Sequence, residues 1–476
     1  MGIGDWVVII NLFPDEKNFE VKPKNLVFLP LFQKIVMATP KSVAFHTLGC
    51  KLNFAETSAL GRQFESAGFQ ERNFTDHADI YVINTCSVTD FADRKCRRVV
   101  RQALKQNEQA LIVVVGCYAQ LKPEEIAAIP GVDLVLGAAE KFRMLPYIEG
   151  LSKSTGKGMV QAGEVSEVLD FVNAFSVGDR TRSFLKVQDG CDYKCTFCTI
   201  PQARGKSRSD SVEHVVANAR EIAGKGVREI VLTGVNIGDF GNGTAVIEGI
   251  KPRKEALFAD LIQALDEVEE VSRFRISSIE PNLCTSEIIG FVANSRRFAP
   301  HFHIPLQSGN NKQLREMKRR YKRELYQERV EEIKKLMPHA CIGVDVIVGF
   351  PGETEADFEE TYHFISSLDI SYLHVFTYSE RDNTPAASMA GIISIEERRR
   401  RNALLTSLSE QKRMHFYGQH LGQERPILFE KSKLPGKMSG FTDNYIKIET
   451  KWREESLNFI EKRPLLRINR EGLMEC

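Results

Sequence analysis

Residues 191–198 read CDYKCTFC and carry three cysteines, Cys191, Cys195 and Cys198, at a C-x3-C-x2-C spacing. Three thiolates on one short loop can bind three irons of a [4Fe–4S] cube, because soft sulfur ligands favour such clusters. The fourth iron would stay open, and the amino and carboxylate groups of S-adenosylmethionine (SAM) could chelate it. The spacing therefore predicts a cluster that binds SAM.

A structural zinc site is the alternative interpretation of the same loop. Such a site closes four ligands around the metal. The next cysteine or histidine along the chain is His214, so a zinc ion would need a ligand from a distant segment.

The runs that flank this loop predict its fold. SFLKVQ (183–188) precedes the loop, and five similar runs follow it, each separated by a helical stretch. Such alternation predicts a partial (β/α)6 barrel of the TIM type, whose active site lies at the carboxyl ends of the strands. The five later runs are EIVLTG (229–234), RFRISS (273–278), HFHIP (301–305), IGVDVIVG (342–349) and SYLHVFTY (371–378).

The chain before the barrel alternates in the same way from Ser42 to Gly137, which predicts a doubly wound parallel sheet. Cys50, Cys86 and Cys117 each lie one to three residues after a predicted strand. Loops at the carboxyl edge of such a sheet converge on one crevice, so we expect these thiols to hold a second cluster with one open iron. Three ordinary buried cysteines are the alternative, because free cysteine is commonly buried.

After about residue 422 the chain changes to short alternating strands, RPILFEK, YIKIET and PLLRI, which predict a small β-barrel. The predicted protein is therefore an α/β protein in several parts. They are an extension without regular structure (1–40), an N-terminal domain (41–150), a linker (151–180), the barrel (181–421) and a C-terminal β module (422–476).

Composition limits the classes of partner and compartment. Lys and Arg number 64 against 63 Asp and Glu, so a nucleic-acid surface would have to come from local clusters of charge. Basic islands occur at 94–101, 318–323 and 398–401, and they predict either phosphate contacts or solvated helix faces. Ten cysteines in a chain of 476 residues fit a reducing compartment, and no membrane segment is apparent, so we expect a cytoplasmic protein.

Eight ordered motifs resemble the radical SAM methylthiotransferases over about residues 41–476. They are TLGCKLN (47–53), INTCSVT (83–89), VVGCYAQ (114–120), QDGCDYKCTFCTIPQARG (188–205), LTGVNIG (232–238), SSIEP (277–281), HIPLQSG (303–309) and DVIVGFPGET (345–354).

The resemblance implies two [4Fe–4S] clusters and SAM, in an N-terminal domain with an auxiliary cluster, a radical SAM barrel and a C-terminal TRAM module that helps to hold RNA. It implies that one SAM methylates a sulfur carried by the auxiliary cluster. A second SAM yields a radical that removes hydrogen from carbon 2 of an adenosine. The implied partners are a tRNA anticodon stem-loop and an electron donor such as flavodoxin or ferredoxin.

Within the family, TLGCKLN and VQDGC resemble most the members that modify N6-threonylcarbamoyladenosine at position 37 of tRNA. Members that act on isopentenyladenosine usually show a GCQMN-like first motif, and those that act on a ribosomal protein a GCPKN-like one. Both remain alternatives, as does a non-catalytic RNA-binding protein that holds zinc. A cobalamin-dependent enzyme is a further alternative, although Ala44 stands where its D-x-H-x-x-G motif needs Asp.

Residues at the ends of the barrel strands are candidates for contacts with SAM. Phe197 could equally be an ordinary apolar loop residue, and we expect no catalytic residue beyond the cluster ligands. The candidates are Phe197 for the adenine, Thr233, Gly234 and Asn236 for the methionine end, Ser277 and Glu280 for the ribose hydroxyls, and Gln307 and Ser308 at the fourth strand.

Overall fold

The computed structural model describes residues 41–86, 90–178 and 181–476, without the side chains of 90–93. The predicted extension at 1–40 lies outside the described residues. Within them the predicted fold class is confirmed: an α/β chain with a parallel N-terminal sheet, a partial barrel and a curled C-terminal sheet. The domain limits remain predictions.

The N-terminal part is a six-stranded sheet in the order β2-β1-β3-β4-β5-β6, and every pair of neighbouring strands is parallel. Its strands are β1 (Ser42–Thr47), β2 (Gln70–Arg72), β3 (Ile80–Thr85), β4 (Leu111–Gly116), β5 (Leu134–Leu136) and β6 (Met159–Gln161). Its helices are α1 (Lys51–Ser66), α2 (Asp90–Gln106), α3 (Cys117–Leu121), α4 (Pro123–Ala127) and α5 (Met144–Ile148).

Hydrophobic alternation explains why helices cover both faces of this sheet. In β3, Tyr81 and Ile83 enter one apolar core, whereas Ile80 and Val82 enter the core on the opposite face. Successive strand side chains point to opposite faces, so a strand that is apolar at every position must be covered twice.

The middle part is a set of six parallel strands that follow the chain order, as predicted. They form two three-stranded sheets, and isolated bridges such as Ser278 to His303 join the two. The barrel strands are β7 (Arg182–Lys186), β10 (Glu229–Thr233), β11 (Arg273–Ile276), β12 (His301–His303), β13 (Cys341–Val348) and β14 (Tyr372–Thr377), and β8 (Gln188–Asp189) pairs with β9 (Arg208–Ser209).

Helices separate these strands and cover their outer face. They are α6 (Ile200–Arg204), α7 (Val212–Gly224), α8 (Gly243–Ile247), α9 (Phe258–Asp266), α10 (Ser286–Asn294), α11 (Asn311–Glu316), α12 (Arg323–Leu336), α13 (Glu355–Ser367) and α14 (Ile395–Gly418). Short 3-10 helices occur at Lys141–Arg143, Val165–Glu167, Ile237–Asn242, Pro385–Ser388 and Glu454–Ser456. No helix in the described ranges is both long and apolar enough to cross a membrane.

The C-terminal part is a six-stranded sheet in the order β18-β15-β16-β17-β20-β19. Only β17 and β20 pair in parallel; the other neighbours are antiparallel. Its strands are β15 (Glu424–Lys431), β16 (Lys437–Thr442), β17 (Lys447–Lys451), β18 (Ile460–Pro464), β19 (Arg467–Ile468) and β20 (Met474–Glu475).

A buried ion pair connects this sheet to the barrel. Glu229 on β10 accepts hydrogen bonds from Arg273 (2.6 Å) and Arg275 (3.0 Å) on the neighbouring strand. Arg275 also donates to the main-chain oxygens of Thr442 (3.2 Å) and Asp443 (3.0 Å). The C-terminal sheet is therefore held against the polar interior of the barrel.

Candidate active site

Cys50, Cys86 and Cys117 line one cavity of about 670 Å³, as the strand pattern predicts. Each follows the carboxyl end of a parallel strand: Cys50 comes after β1, Cys86 after β3 and Cys117 after β4. The cavity is also lined by barrel residues, among them Thr233 and Ser277. The sheet edge and the barrel strand ends therefore face the same space.

Two glycines let these cysteine loops come together. Gly49 has φ +117°, and a Cβ there would lie 2.6 Å from the Cβ of Cys86. Gly116 has φ +101°, and a Cβ there would lie 2.3 Å from the main-chain oxygen of Thr85. Both the left-handed backbone and the close approach require glycine.

A buried network of charges lies beside this trio. Glu56 on α1 accepts hydrogen bonds from Lys141 (2.7 Å) and Arg204 (2.9 Å). Asp189 accepts from Lys186 (2.9 Å) and also from Arg204 (3.0 Å). Arg208 also donates to Asp189 (3.2 Å), so four cations surround two carboxylates. The surplus positive charge is suited to a neighbouring anion such as a thiolate-bound cluster.

Burial raises the pKa of the Cys117 thiol, although Arg204 acts in the opposite direction. A buried thiol in this state is protonated at neutral pH, and metal binding must displace the proton. Arg204 is placed to stabilise the thiolate that results.

The second trio, Cys191, Cys195 and Cys198, lies in the loop after β8. Burial raises the pKa of all three thiols, that of Cys198 to about 11. Arg319 donates a hydrogen bond to the sulfur of Cys195 (3.0 Å) and is ion-paired with Glu280. Each cysteine trio therefore has a buried arginine beside it.

The spacing of the sulfur atoms distinguishes a cluster from a single metal ion. Among the described residues, one group of three possible metal ligands has all its ligand atoms within 4.8 Å of one another: His303, Asp345 and His374. Neither cysteine trio meets that limit. Sulfurs around one zinc ion would lie about 3.8 Å apart, given a Zn–S bond of about 2.3 Å. A cube with irons at its corners would hold its thiolates further apart.

The predicted SAM contacts fall into two groups. Thr233, Gly234 and Ser277 line the large cavity. The neighbouring Asn236 is buried, and neither polar atom of its amide has a hydrogen-bond partner among the described residues. The Ser277 hydroxyl is likewise buried and without a partner there. Unpartnered buried polar groups at a cavity wall fit a polar ligand such as the methionine end of SAM.

Phe197 and Gln307 line a second cavity of about 250 Å³ together with residues of β14. Gln307 has φ +67°, a backbone strain that in a non-glycine residue often marks a ligand site. Two other candidates have partners inside the protein instead. Ser308 is buried against the Thr361 hydroxyl (3.1 Å), and Glu280 pairs with Arg319. Their contact with SAM remains a prediction.

Some polar residues of the large cavity were not predicted from the sequence. Asp345 lines both cavities and is hydrogen-bonded to His303 (2.9 Å) and His374 (3.2 Å). Burial alone would raise the pKa of Asp345, but these two histidines outweigh it and hold the pKa well below its usual value. The others are Lys51, Arg182, Arg204, Arg275 and Tyr445. Of these, Lys51 and Arg204 carried a signal, because they lie in the motifs TLGCKLN (47–53) and QDGCDYKCTFCTIPQARG (188–205).

Comparison with known proteins decides the family. Residues 42–137 match the uncharacterized protein family UPF0004, and residues 185–365 match the radical SAM superfamily. The chain is 42% identical to the threonylcarbamoyladenosine tRNA methylthiotransferase MtaB of Bacillus subtilis, over 90% of this chain and 94% of that protein. The chain belongs to the radical SAM methylthiotransferase family.

Other relatives of this methylthiotransferase have the same or a related name. The MtaB of Aquifex aeolicus is 38% identical, over 87% of this chain and 97% of its own length. The tRNA-2-methylthio-N(6)-dimethylallyladenosine synthase of Protochlamydia amoebophila is 30% identical, over 84% of this chain and 88% of its own. Among solved structures, the radical SAM methyltransferase TsrM of Kitasatospora setae has a TM-score of 0.53 and 14% identity, covering 73% of this chain and 75% of that one. At that identity the likeness extends to the fold alone.

All three basic islands of this methylthiotransferase make ion pairs among the described residues, and in the island at 94–101 Arg97 pairs with Glu125. In the island at 318–323, Arg320 pairs with Glu248 and Arg323 with Glu360. In the island at 398–401, Arg398 pairs with Glu380, Arg400 with Glu355 and Arg401 with Glu353. The island at 94–101 on α2 keeps Arg98 and Arg101 exposed.

Proposed function

We propose that this protein converts N6-threonylcarbamoyladenosine at position 37 of tRNA into its 2-methylthio derivative. The observation that carries the proposal is the cavity of about 670 Å³, which is lined by Cys50, Cys86 and Cys117 on one side and by barrel strand ends on the other. A volume of this size suits a modified nucleoside. Similarity to MtaB proteins of several bacteria, at up to 42% identity, supports the choice of nucleoside.

We assign Cys50, Cys86 and Cys117 to an auxiliary [4Fe–4S] cluster, and Cys191, Cys195 and Cys198 to the cluster that binds SAM. When bound, these groups supply the sulfur, the methyl group and the radical chemistry that the transfer needs. The residues of the chain hold and surround them. Arg204 and Arg319 place positive charge beside the two thiolate trios, and Asn236 and Ser277 offer unpartnered polar atoms to SAM.

The cavity walls would hold the nucleoside and exclude water. Phe54, Phe184 and Val231 provide apolar surface for a flat base, whereas Thr233 and Ser277 provide hydroxyl groups. Excluding water protects a reactive radical from side reactions. We further propose that the exposed Arg98 and Arg101 on α2 contact the phosphates of the anticodon stem-loop. We propose that a protein such as flavodoxin or ferredoxin donates the electron. We also propose that the protein is cytoplasmic.

Nucleoside analysis of tRNA from a deletion strain tests the function. We expect loss of 2-methylthio-N6-threonylcarbamoyladenosine and accumulation of the precursor without the methylthio group. A plasmid copy of the gene should restore the product, whereas the triple variant Cys50→Ser, Cys86→Ser, Cys117→Ser should not. The matched control is Cys476→Ser, which removes a half-buried thiol outside both trios and should restore the product.

Iron analysis of anaerobically reconstituted protein tests the ligand assignment separately. The parent should hold about eight irons per chain and the triple variant about four, because each cube contributes four. A reconstituted protein that held zinc and no iron would reject the proposed enzyme activity. An unchanged nucleoside profile would reject the proposed substrate, and loss of the methylthio derivative of isopentenyladenosine instead would assign the chain to that substrate.

A further inference from the structure

Lys51 is the first residue of α1 and follows Cys50 directly. Its side chain lines the cavity and is half-buried. Its ammonium group makes no hydrogen bond or ion pair to any residue of the described ranges 41–86, 90–178 and 181–476. A partly buried cation with no ion-pair partner in contact is well suited to bind an anionic ligand.

The other cations that line this cavity are already paired. Three arginines line it, and each lies within ion-pair distance of a carboxylate of the chain. The pairs are Arg204 with Glu56 (2.9 Å), Arg275 with Glu229 (3.0 Å) and Arg182 with Glu430 (3.5 Å). Lys51 therefore differs from them in being available to a ligand.

No carboxylate of the cavity wall makes a hydrogen bond or an ion pair with Lys51, although the charge of Asp345 does act on it through space. Asp345 is the acidic residue among the described lining residues, and it lies within hydrogen-bond distance of His303 and His374 rather than of Lys51. The remaining lining side chains are neutral, cationic or thiols. An anion in direct contact with Lys51 would therefore have to come from a ligand.

We propose that Lys51 binds the carboxylate of the threonyl group that the substrate nucleoside carries, and that this contact selects that nucleoside. The inference rests on the proposed function, because N6-threonylcarbamoyladenosine ends in the free carboxylate of threonine. An ammonium–carboxylate hydrogen bond favours this substrate over any N6-modified adenosine that lacks the negative charge. A neutral prenyl group would instead leave the ammonium without a partner.

The experiment pairs one change in the enzyme with one change in the substrate. Anticodon stem-loops carry either N6-threonylcarbamoyladenosine or its primary carboxamide, which has nearly the same shape but no charge. We expect the parent to prefer the acid in kcat/KM by about ten- to hundredfold, the size of one hydrogen bond between charged groups. In Lys51→Met the rate on the acid should fall to that on the carboxamide, and the rate on the carboxamide should stay as in the parent.

Two further variants serve as controls. Lys51→Arg keeps the positive charge and should retain most of the preference for the acid. Lys335→Met removes one exposed lysine from the last turn of α12 that does not line the cavity, and should behave as the parent. Dissociation constants of the two labelled stem-loops should show the same pattern as kcat/KM.

Other roles of Lys51 give different results. If Lys51 neutralises the auxiliary cluster, Lys51→Met will lose iron from about eight toward about four per chain, which would overturn the inference. If Lys51 contacts an RNA phosphate, Lys51→Met will weaken the binding of both stem-loops equally, which would also overturn the inference. Equal rates of the parent on acid and carboxamide would reject the inference alone. Failure of the parent to modify the acid stem-loop would reject the proposed function as well.

Discussion

At the scale of single residues, Gly49 decides whether the first cysteine loop can approach the second. We predict that Gly49→Ala loses the auxiliary cluster, because the added Cβ would lie 2.6 Å from the Cβ of Cys86 and must push the two loops apart. Iron analysis after reconstitution should fall from about eight to about four irons per chain. Cleavage of SAM, which depends on the other trio, should persist.

The matched control is Gly68→Ala. Gly68 also has a left-handed backbone, with φ +85°, but a Cβ there would meet nothing within 4 Å. This substitution carries the backbone strain of about 1 kcal/mol without the steric contact, and it should leave the iron content unchanged. Equal iron loss in the two variants would attribute the effect to backbone strain and would contradict the steric account.

The residues of the site differ in how readily they can be predicted from the sequence. Cys191, Cys195 and Cys198 lie within eight residues, so their spacing alone predicts a common ligand. Cys50 and Cys117 are far apart in the chain, and their grouping follows only from the strands that precede them. Arg275 and Tyr445 could not be predicted as site residues, because their place in the cavity depends on how the C-terminal sheet packs against the barrel.

At the scale of elements, the buried carboxylate of Glu56 joins α1 to the barrel. Lys141 and Arg204 donate to it, and Lys186 lies 3.6 Å away. We predict that Glu56→Gln lowers the free energy of unfolding by about 3–5 kcal/mol, because it leaves buried cations without their counter-charge. Urea denaturation should be compared with Glu124→Gln, an exposed partner of Lys157, which should cost at most about 0.5 kcal/mol.

The pH dependence of stability in the parent and in Glu56→Gln tests whether the charge of Glu56 causes the difference. Burial alone would raise the pKa of Glu56, but Arg204, Lys141 and Lys186 outweigh it and lower the pKa from 4.5 to about 2. A lowered pKa contributes stability that is present above pH 4.5 and is lost as pH falls toward 2. The stability gap between parent and Glu56→Gln should therefore close over that interval. A gap that stayed constant would show that the charge of Glu56 is not its source.

Buried apolar strands were predictable as elements, and the exposed edge strands were not. All six barrel strands and the four strands β1, β3, β4 and β5 lie where apolar, β-branched runs predict them. The edge strands β2 and β6 have three residues each, and β2 is exposed throughout, so they carry too little hydrophobic pattern. In β16 the residues KMSGFT are mostly polar or small, and the strand forms because β15 and β17 pair with it on either side.

At the scale of the whole molecule, one cavity draws its walls from all three parts of the chain. Cys50 comes from the N-terminal sheet edge, Ser277 from the end of a barrel strand and Tyr445 from the turn between β16 and β17. The Tyr445 ring packs against His301 with centroids 4.4 Å apart, and the guanidinium of Arg275 lies 4.9 Å from its centroid. The C-terminal sheet is thus part of the site as well as a candidate RNA-binding module.

This arrangement predicts that Tyr445→Ala impairs the transfer without impairing SAM binding. Removing the ring opens the cavity wall and frees Arg275, so the nucleoside would be held less accurately. A small misplacement of the reacting atoms lowers the rate strongly. We expect kcat on the anticodon stem-loop to fall at least about tenfold. The dissociation constant of SAM, measured by equilibrium dialysis, should stay unchanged because the predicted contacts Asn236 and Ser277 belong to the barrel.

Two controls separate this local effect from a general one. Phe459→Ala removes an exposed aromatic ring of the same C-terminal sheet that does not line the cavity, and it should keep the parental kcat. Tyr445→Phe keeps the ring and should retain most of the activity, because the packing against His301 and Arg275 needs the ring and not the hydroxyl group. If Tyr445→Ala weakened SAM binding as much as turnover, the C-terminal sheet would support the barrel as a whole rather than the nucleoside side of the cavity.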